Sequence, residues 1–471
     1  MNRAILFQEG LTFVRRGPAL VVLALLAVAF AYAGWSGDRW RDAQTENLQA
    51  FEARMAGELV GFREQLAGIE SGDVEPSPYD ANPMSILFPA VLLPASLADF
   101  AVGHADLHPA SAEISTWRNL SSVFGRYQFD NPTTLASSSF DVAMVVVVLL
   151  PLLMIAVSFD VLAGERSRGS LALLLSSPLR LRELVWTRLL YRNGLIWLAA
   201  GAAILLLAIA NDSGGDRFAR LGIWFGISIV YLLVWFALIG YCVARFRSAP
   251  ATAGSLVGLW LLFTLAMPAS IATLTEALYP TPSRLAFLSE IRTAQGDTNR
   301  NLAEVTEGFL FDHPELTVGD ESLPSFYRAA FLSNQAALEN TRPIVEAYER
   351  AREGRDRTVR WAQFLSPSII AQRLLNLSAG ADLQRQHRFQ SQVQGSLVEL
   401  GTALGPAIVS RNRLSVSEFD ALTPFAFEDV SARQIAFSAV GPGLFLLALA
   451  VALGFAANRR LDEDEDGSVA V

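Results

Sequence analysis

Lysine is absent from the sequence, and all 37 basic residues are arginine. Without lysine the chain cannot contain a Walker A lysine, a Schiff-base lysine or a serine–lysine catalytic pair. Cysteine occurs once, at Cys242, so an intrachain disulfide is excluded. Because Cys242 lies within an apolar run, we expect it to be a small packing residue.

Charged residues are also scarce. They make up 18% of the 471 residues, against about 25% in ordinary soluble domains, whereas hydrophobic residues make up 52%. The mean hydropathy is +0.34. This composition argues against a cytosolic enzyme and predicts an apolar surface that faces lipid. The formal net charge of −9 gives no overall field that attracts nucleic acid, so we expect no nucleic-acid partner.

Six charge-free apolar stretches have the length of membrane-spanning helices. They contain 17 to 25 residues, and a helix needs about 20 to cross the hydrocarbon core. The first is interpreted as a retained span rather than a secretory signal peptide, because no clear cleavage site follows it. The predicted spans are 18–35, 142–159, 194–210, 221–244, 251–275 and 435–457.

The placement of arginine predicts the orientation of these spans. With the N-terminus inside, the short cytoplasmic segments carry 13 arginines, whereas the short outer loop carries only Arg217 and Arg220. Positive residues favour the cytoplasmic side. Both termini are therefore predicted to be cytoplasmic, with an interfacial N-terminal helix at 1–17, an inside loop at 160–193 and an acidic tail at 458–471.

This topology places two large insertions, 36–141 and 276–434, outside the membrane. Apolar residues recur every three or four positions in 48–69 and again in 389–404, which is typical of helices that pack along other helices. Neither insertion alternates with period two for long. The predicted fold class is an all-α membrane protein with six transmembrane helices and a mostly helical extracytoplasmic domain built from both insertions.

Two further helices are predicted in the second insertion. Ser366-Pro367 and Gly380 are start and stop signals for a short helix at 368–378. Apolar residues between 327 and 345 indicate another helix, which we expect to be kinked or broken near Pro343.

The inside loop contains an apolar segment that is unexpected on a cytosolic surface. Ser170 is a suitable N-cap for a short helix at 171–176, and Pro178 would end that helix. Leu171 and Leu174 need a surface to bury against. Two interpretations follow from the pattern: the helix lies on lipid headgroups, or it is bound by a partner protein.

The residues from Glu165 to Pro178 resemble the signature of the type-2 ABC permease family. That signature is Glu-x-x-x-Gly-Thr-Leu, followed by leucines, a small residue and proline, and Ser170 here takes the position of the threonine. Other segments resemble a subfamily with large extracytoplasmic helical insertions, whose outer domain is of unknown function. These segments are 130–165, 312–316, 365–376 and 379–389.

The resemblance implies the membrane subunit of an ATP-driven transporter that exports a substrate or transmits force. Such permeases pair as two copies or two related permeases and dock on a separate ATPase, which binds ATP and Mg²⁺, so this chain would hold no cofactor. A bacterial inner membrane is expected, and a periplasmic partner is compatible with the outer domain. The implied ATPase contact comprises Glu165, Arg166, Gly169, Ser170, Leu171, Leu174 and Pro178.

In that family the second and fifth spans line the substrate path. Here these spans contain Pro151 and Pro268, each of which frees a backbone carbonyl and permits a bend. With the nearby polar residues Ser158 and Thr264, they form the candidate substrate path. The alternative is that both prolines are ordinary packing kinks, because no charge within the spans marks a site.

Catalytic and metal-binding patterns are weak. His104 and His108 are spaced for one face of a helix, but Gly103 and Pro109 favour a loop, so we expect no metal site. We also expect no catalytic residue, since H-E-x-x-H, G-x-S-x-G and paired-cysteine motifs are missing. Two alternatives to a permease remain: a membrane-anchored receptor or scaffold with a helical extracytoplasmic binding domain, and an outward-facing enzyme.

Overall fold

The six predicted spans all lie within long helices of a computed structural model. By length and composition, six helices among the described residues could cross a membrane, and the predicted all-α membrane fold is confirmed. The structure describes residues 9–10, 17–103, 105, 108–118, 123, 140–168, 180–210, 216–280, 284–300, 307–308, 310–311 and 322–469.

Helices and strands are numbered here along the chain. The helices that contain the spans are α1 (Gly17–Ser71), α2 (Val142–Arg166), α3 (Leu181–Ala210), α4 (Arg217–Arg245), α5 (Ala249–Leu278) and α11 (Ala432–Val469). The second insertion contributes α6 (Arg284–Arg300), α7 (Ser325–Ala362), α8 (Pro367–Ala379), α9 (Leu383–Val409) and α10 (Val416–Asp420). Strands β1 (Phe88–Val91) and β2 (Ser111–Ile114) pair antiparallel, with Phe88 opposite Ile114.

Helix α1 joins the first span without a break to the region formed by the two insertions, which is called the outer region after its predicted side of the membrane. It is 55 residues long, about 80 Å at 1.5 Å per residue. Its outer half carries the predicted packing seam, of which Leu48, Met55 and Leu66 are buried. The same rigid helix therefore belongs to both the spanning bundle and the outer region.

The two insertions share one apolar core. Leu66 of α1, Phe88 of β1 and Phe331 of α7 meet the apolar seam of α9 there. The predicted seam residues of α9 are all buried: Phe389, Val393, Leu397, Leu400 and Leu404. The outer region is thus built from both insertions and is predominantly helical, with the β1–β2 pair as a small addition.

Helix α7 corrects part of one prediction. The sequence favours a kink or a break near Pro343, and the break is wrong because α7 runs through this proline as one helix. Packing on both sides holds it in place: Phe331 is buried in the outer core, and the Tyr348 ring stacks on Phe287 of α6 at 4.5 Å between centroids. These contacts outweigh the hydrogen bond that proline removes.

The first turn of α4 attaches the insertions to the spans and corrects a second prediction. The sequence placed Arg217 and Arg220 in a loop, but both lie in α4 and are buried. Arg217 donates to both carboxylate oxygens of Asp99, at 3.1 and 2.8 Å, and Arg220 donates to the carbonyl of Val430 at 2.8 Å. Buried guanidinium groups require such partners, and the two insertions supply them.

Gly380 allows the close approach of α8 to the first insertion. It ends α8, as predicted, with a φ of 72°, and a Cβ there would lie 2.4 Å from the Cβ of Ala95. We expect Gly380→Ala to destabilise the protein by about 1–3 kcal/mol through strain and overpacking. Gly395→Ala is the control, because Gly395 lies in α9 with open space around it, and alanine there favours the helix.

The measurement is the thermal unfolding midpoint of each purified full-length variant. Gly380→Ala should unfold at a lower temperature than the parent protein, and Gly395→Ala at the same or a higher one. Equal midpoints for the two variants would show that α8 and residue 95 are not in close contact.

Candidate functional site

Both prolines of the candidate path follow a turn of π-helix. Val145–Leu149 precedes Pro151 in α2, and Leu262–Ala266 precedes Pro268 in α5. Proline has no backbone N–H, so carbonyl groups one turn earlier lose their helical donor. In an apolar span such carbonyls need donors from other helices.

In α2, two neighbouring helices supply these donors. The hydroxyl of Tyr231, on α4, donates to the carbonyl of Val147 at 2.7 Å. The indole Nε1 of Trp260, on α5, donates to the carbonyl of Val148 at 3.0 Å. The backbone around the first π-turn is therefore satisfied within the protein, and α2 is tied to both α4 and α5.

In α5, the donor comes from the second insertion. Ser366 Oγ donates to the carbonyl of Phe263 at 2.7 Å. Two residues later, Ser368 Oγ lies 3.1 Å from the Tyr231 hydroxyl and 3.5 Å from Thr264 Oγ1. The side chains of Ser366, Ser368, Tyr231 and Thr264, named here the hydroxyl cluster, connect α8 to α2, α4 and α5.

Helix α8 therefore enters the bundle of spans. Its residues Ile370, Leu374 and Leu375 are buried in the same apolar cluster as α2 and α4. Phe263, which accepts the bond from Ser366, is at the centre of the 30-residue α5. We call α8, together with the end of α7, the re-entrant hairpin, because it reaches the middle of α5 and returns.

The four candidate path residues occupy different environments. Thr264 reaches the hydroxyl cluster, and Pro268 follows it half-buried in α5. Pro151 is buried. Ser158 is fully buried in α2, where Asn193 Nδ2 donates to its Oγ at 2.9 Å. The structure thus brings Thr264 and Pro268 together, on a helix with a large exposed face, and encloses the other two.

Sequence reasoning missed Tyr231, Ser366 and Ser368 as members of this cluster. The sequence predicts a helix start at Ser366, which the structure confirms, since Ser366 precedes α8 in extended conformation. The carbonyl that accepts the hydrogen bond of its hydroxyl, however, belongs to Phe263, which is 103 residues away in the chain. The only local signal was the pair of serines flanking Pro367, and such a pair also fits an ordinary helix cap.

A buried network of charges joins α2 and α3 at their ends nearest the segment 169–179, which the sequence predicts to face the cytoplasm; these are called the inner ends. Arg192 Nε is 2.6 Å from Glu9 Oε1, and its Nη1 is 2.7 Å from Asp160 Oδ1. Arg188 Nη1 is 3.1 Å from Glu165 Oε1, and its Nε is 3.5 Å from the second Glu9 oxygen. The arginine side chains are 9% and 7% exposed, so loss of one partner costs about 3–5 kcal/mol.

The acidic tail holds the two flanks of the inside loop. Asp464 Oδ2 is 2.6 Å from Arg166 Nη2, in front of the segment 169–179. Glu465 Oε2 accepts a hydrogen bond at 3.1 Å from the backbone N–H of Leu181, the first residue of α3 behind that segment. A carboxylate at a helix N-terminus also stabilises the helix through its dipole. The end of α11 therefore fixes both flanks together.

The structure describes two of the seven residues of the implied ATPase contact. Glu165 pairs with Arg188, and Arg166 pairs with Asp464, so both are engaged within the chain. The other five lie outside the described residues: Gly169, Ser170, Leu171, Leu174 and Pro178.

In the sequence, the arginines of this network indicated only the orientation of the spans, and the acidic tail at 458–471 had no predicted contact. Arg188 and Arg192 lie four residues apart, directly before a charge-free span, which would place them on one face of α3. That spacing was the available signal. Their partners could not be chosen from the sequence, because Glu9 lies 183 residues from Arg192.

Cys242, His108 and His387 lie where their side chains pack against other parts of the chain. Cys242 is buried, as predicted for a packing residue. His104 lies outside the described residues, and the ring of His108 packs on that of His387, with 6.4 Å between centroids. Burial, together with the charge of Arg352, lowers the pKa of His387 to about 3, so this side chain is neutral at physiological pH. Throughout the described ranges, no group of three or more metal-ligating side chains could hold an ion.

Comparison with known proteins gives two similarities. Residues 284–428, which comprise α6 to α10, match the family model for a domain of unknown function, DUF3526. A stretch of 123 residues is 28% identical to the probable ABC transporter permease protein NosY of Pseudomonas aeruginosa. That match covers 25% of this chain and 45% of the relative, so the chain spans less than half of the relative's length. Together the similarities support an ABC permease-like family and, in general, a permease role.

Proposed function

We propose that the chain is the membrane-spanning permease subunit of an ATP-driven ABC transporter. It would couple ATP hydrolysis by a separate subunit to substrate export or force transmission across a bacterial inner membrane. The similarity to a probable ABC permease and the six apolar helices support this proposal. The observation that carries it is the fixed base of the inside loop, whose sequence resembles a coupling helix.

The ion pairs give this loop the rigid base that coupling requires. Arg188 and Arg192 join α3 to α2, and Asp464 joins α11 to the end of α2. A force applied to 169–179 by a closing ATPase dimer would move these three helices together, because separating them would leave buried charges unpaired. Glu165 and Arg166 then serve the ATPase contact by holding the loop, and Leu171 and Leu174 enter the groove of the partner.

The hydroxyl cluster is the proposed point at which this movement reaches the transport path. π-turns are frequent at functional sites of helices, and here they occur in both α2 and α5. Helix α5 leaves a broad apolar face exposed, since only 11% of its most apolar 18-residue stretch is buried. A second permease, identical or related, would cover that face and enclose Thr264 and Pro268.

In this proposal the chain has no enzymatic site and no cofactor of its own. ATP and Mg²⁺ are bound by the ATPase partner, which is consistent with the complete lack of lysine in this chain. Both termini and the loop 160–193 face the cytoplasm, and the insertions 36–141 and 276–434 face the periplasm, where a further partner could bind.

Docking can be tested with the double variant Leu171→Asp, Leu174→Asp, co-expressed with an ATPase encoded nearby. Two carboxylates in an apolar contact are strongly unfavourable, so we expect the ATPase to be lost from the purified complex. The control is Phe326→Asp, Val398→Asp, which makes the same charge change at two exposed residues of the outer region. Unchanged co-purification with the loop variant, or ATP hydrolysis by the purified chain alone, would contradict the proposal.

The tail contact can be tested by charge exchange. Arg166→Asp and Asp464→Arg each break the 2.6 Å pair, and their combination restores opposite charges with the positions reversed. We expect each single variant to reduce the ATPase rate of the reconstituted complex, and the double variant to recover much of it. Glu463→Arg is the control, because this neighbour is 51% exposed and exposed pairs contribute little. A double variant as impaired as the single ones would exclude this role for the tail.

A further inference from the structure

The re-entrant hairpin carries charged residues down along the outer half of α5. Arg355 Nε donates to the carbonyl of Tyr279, just beyond the outer end of α5, at 2.9 Å. Ser366 Oγ donates to the carbonyl of Phe263, at the middle of α5. The segment from Arg355 to Ser366 therefore descends between these two levels, and α8 returns toward the outer side.

Two arginines of the hairpin lie well below its outer end. Arg360 precedes Ser366 by six residues and Arg373 follows it by seven. At 1.5 Å per residue, each lies about 10 Å outward of Ser366 along its own limb. Half of the hydrocarbon core is about 15 Å thick. With α5 centred in the bilayer, the backbones of both arginines are level with the outer half of the hydrocarbon core.

Both arginines lack an ion-pair partner in the described part of the chain, where no carboxylate oxygen lies within 4.0 Å of either guanidinium. Arg373 Nη1 donates to Gln363 Oε1 at 2.7 Å, and Gln363 Nε2 donates to the carbonyl of Arg360 at 2.6 Å. Buried Gln363 thus holds the two limbs side by side. The charge of Arg360 repels that of Arg373. Asp382 and Asp356 attract Arg373 from beyond 4.0 Å, and Asp356 also attracts Arg360.

Ionisable groups at membrane depth are costly and usually mark a ligand or transport site. Two arginines on adjoining limbs offer a suitable receptor for an anion, because each guanidinium can donate two parallel hydrogen bonds to phosphate or carboxylate. Apolar surface lies beside them: Trp361 follows Arg360 and is 74% exposed, and Leu365 is 57% exposed. The hairpin therefore offers charge and apolar contact at one level.

We propose that Arg360 and Arg373 bind the anionic headgroup of an amphiphile, through its phosphate or carboxylate, with its hydrocarbon part against Trp361 and Leu365. The headgroup could belong to an outer-leaflet lipid or to a transported amphiphile. A transported amphiphile as the ligand rests on the proposed function, whereas the binding of an anionic headgroup by the two arginines does not. The charged groups missing from the spans are thus supplied by the insertion, which the sequence placed outside the membrane.

Trp361 provides the probe for this site. The full-length chain is placed in nanodiscs that contain brominated phosphatidylglycerol or, at equal density, brominated phosphatidylcholine. Quenching of Trp361 is the difference between the parent protein and Trp361→Phe. We expect the anionic lipid to quench it more strongly, by roughly threefold, as charge pairs at a partly exposed site would give. In Arg360→Gln, Arg373→Gln the two lipids should quench equally.

The control is Arg350→Gln, an exposed position further out on α7, which should keep the preference. Absence of quenching by either lipid would show that the hairpin is not at hydrocarbon depth, and equal quenching in the parent protein would show no selection for anions. Either result overturns the proposal. Millimolar inorganic phosphate identifies the recognised group: competition means that the phosphate group alone suffices, and no competition means that an intact lipid is required. The two sources are distinguished by the reconstituted transporter with ATP, because a transported amphiphile should leave the site during turnover and restore Trp361 fluorescence, whereas a bound outer-leaflet lipid should not. The quenching measurements themselves need no ATPase, so their failure leaves the proposed permease function standing.

Discussion

A carbonyl group that loses its helical donor inside an apolar span must find another, and this requirement organises the centre of the molecule. Pro151 and Pro268 create the need in α2 and α5, and Tyr231 and Ser366 meet it. Because Ser366 belongs to the second insertion, the insertion is part of the spanning bundle. Movement of the middle of α5 must therefore carry the re-entrant hairpin with it, or break a bond that lipid cannot replace.

The same rule, applied to charge, governs the ends of the spans that are predicted to face the cytoplasm. Arg192 is buried with Glu9 and Asp160, and the next residue, Asn193, donates to Ser158 within the apolar part of α2. Helix α2 thus runs from the charge network at its inner end to the carbonyls of the first π-turn. It is the element through which a displacement of the inside loop would reach the hydroxyl cluster.

The features predicted from sequence are those with local causes. Charge-free length located the six spans, and Ser366 and Gly380 located α8, because caps and stop signals act within a few residues. The features that were missed depend on distant partners. Arg217 was assigned to a loop because Asp99, which makes its burial in α4 favourable, lies 118 residues away. The continuity of α7 through Pro343 likewise depends on packing that its own sequence does not contain.

Helix α8 shows why hydropathy alone could not find the site. It has 13 residues, too few to cross a bilayer, and it carries Arg373, so composition assigned it to the outer region. Hydropathy measures whether a helix is apolar enough to face lipid. Helix α8 faces protein instead, where its serines and its arginine need only hydrogen-bond partners. Helix α7, about 57 Å long at 1.5 Å per residue, joins this helix to the outer core at Phe331. A shift at the hydroxyl cluster would therefore be transmitted toward the outer core along one continuous helix, without an intervening loop to absorb it.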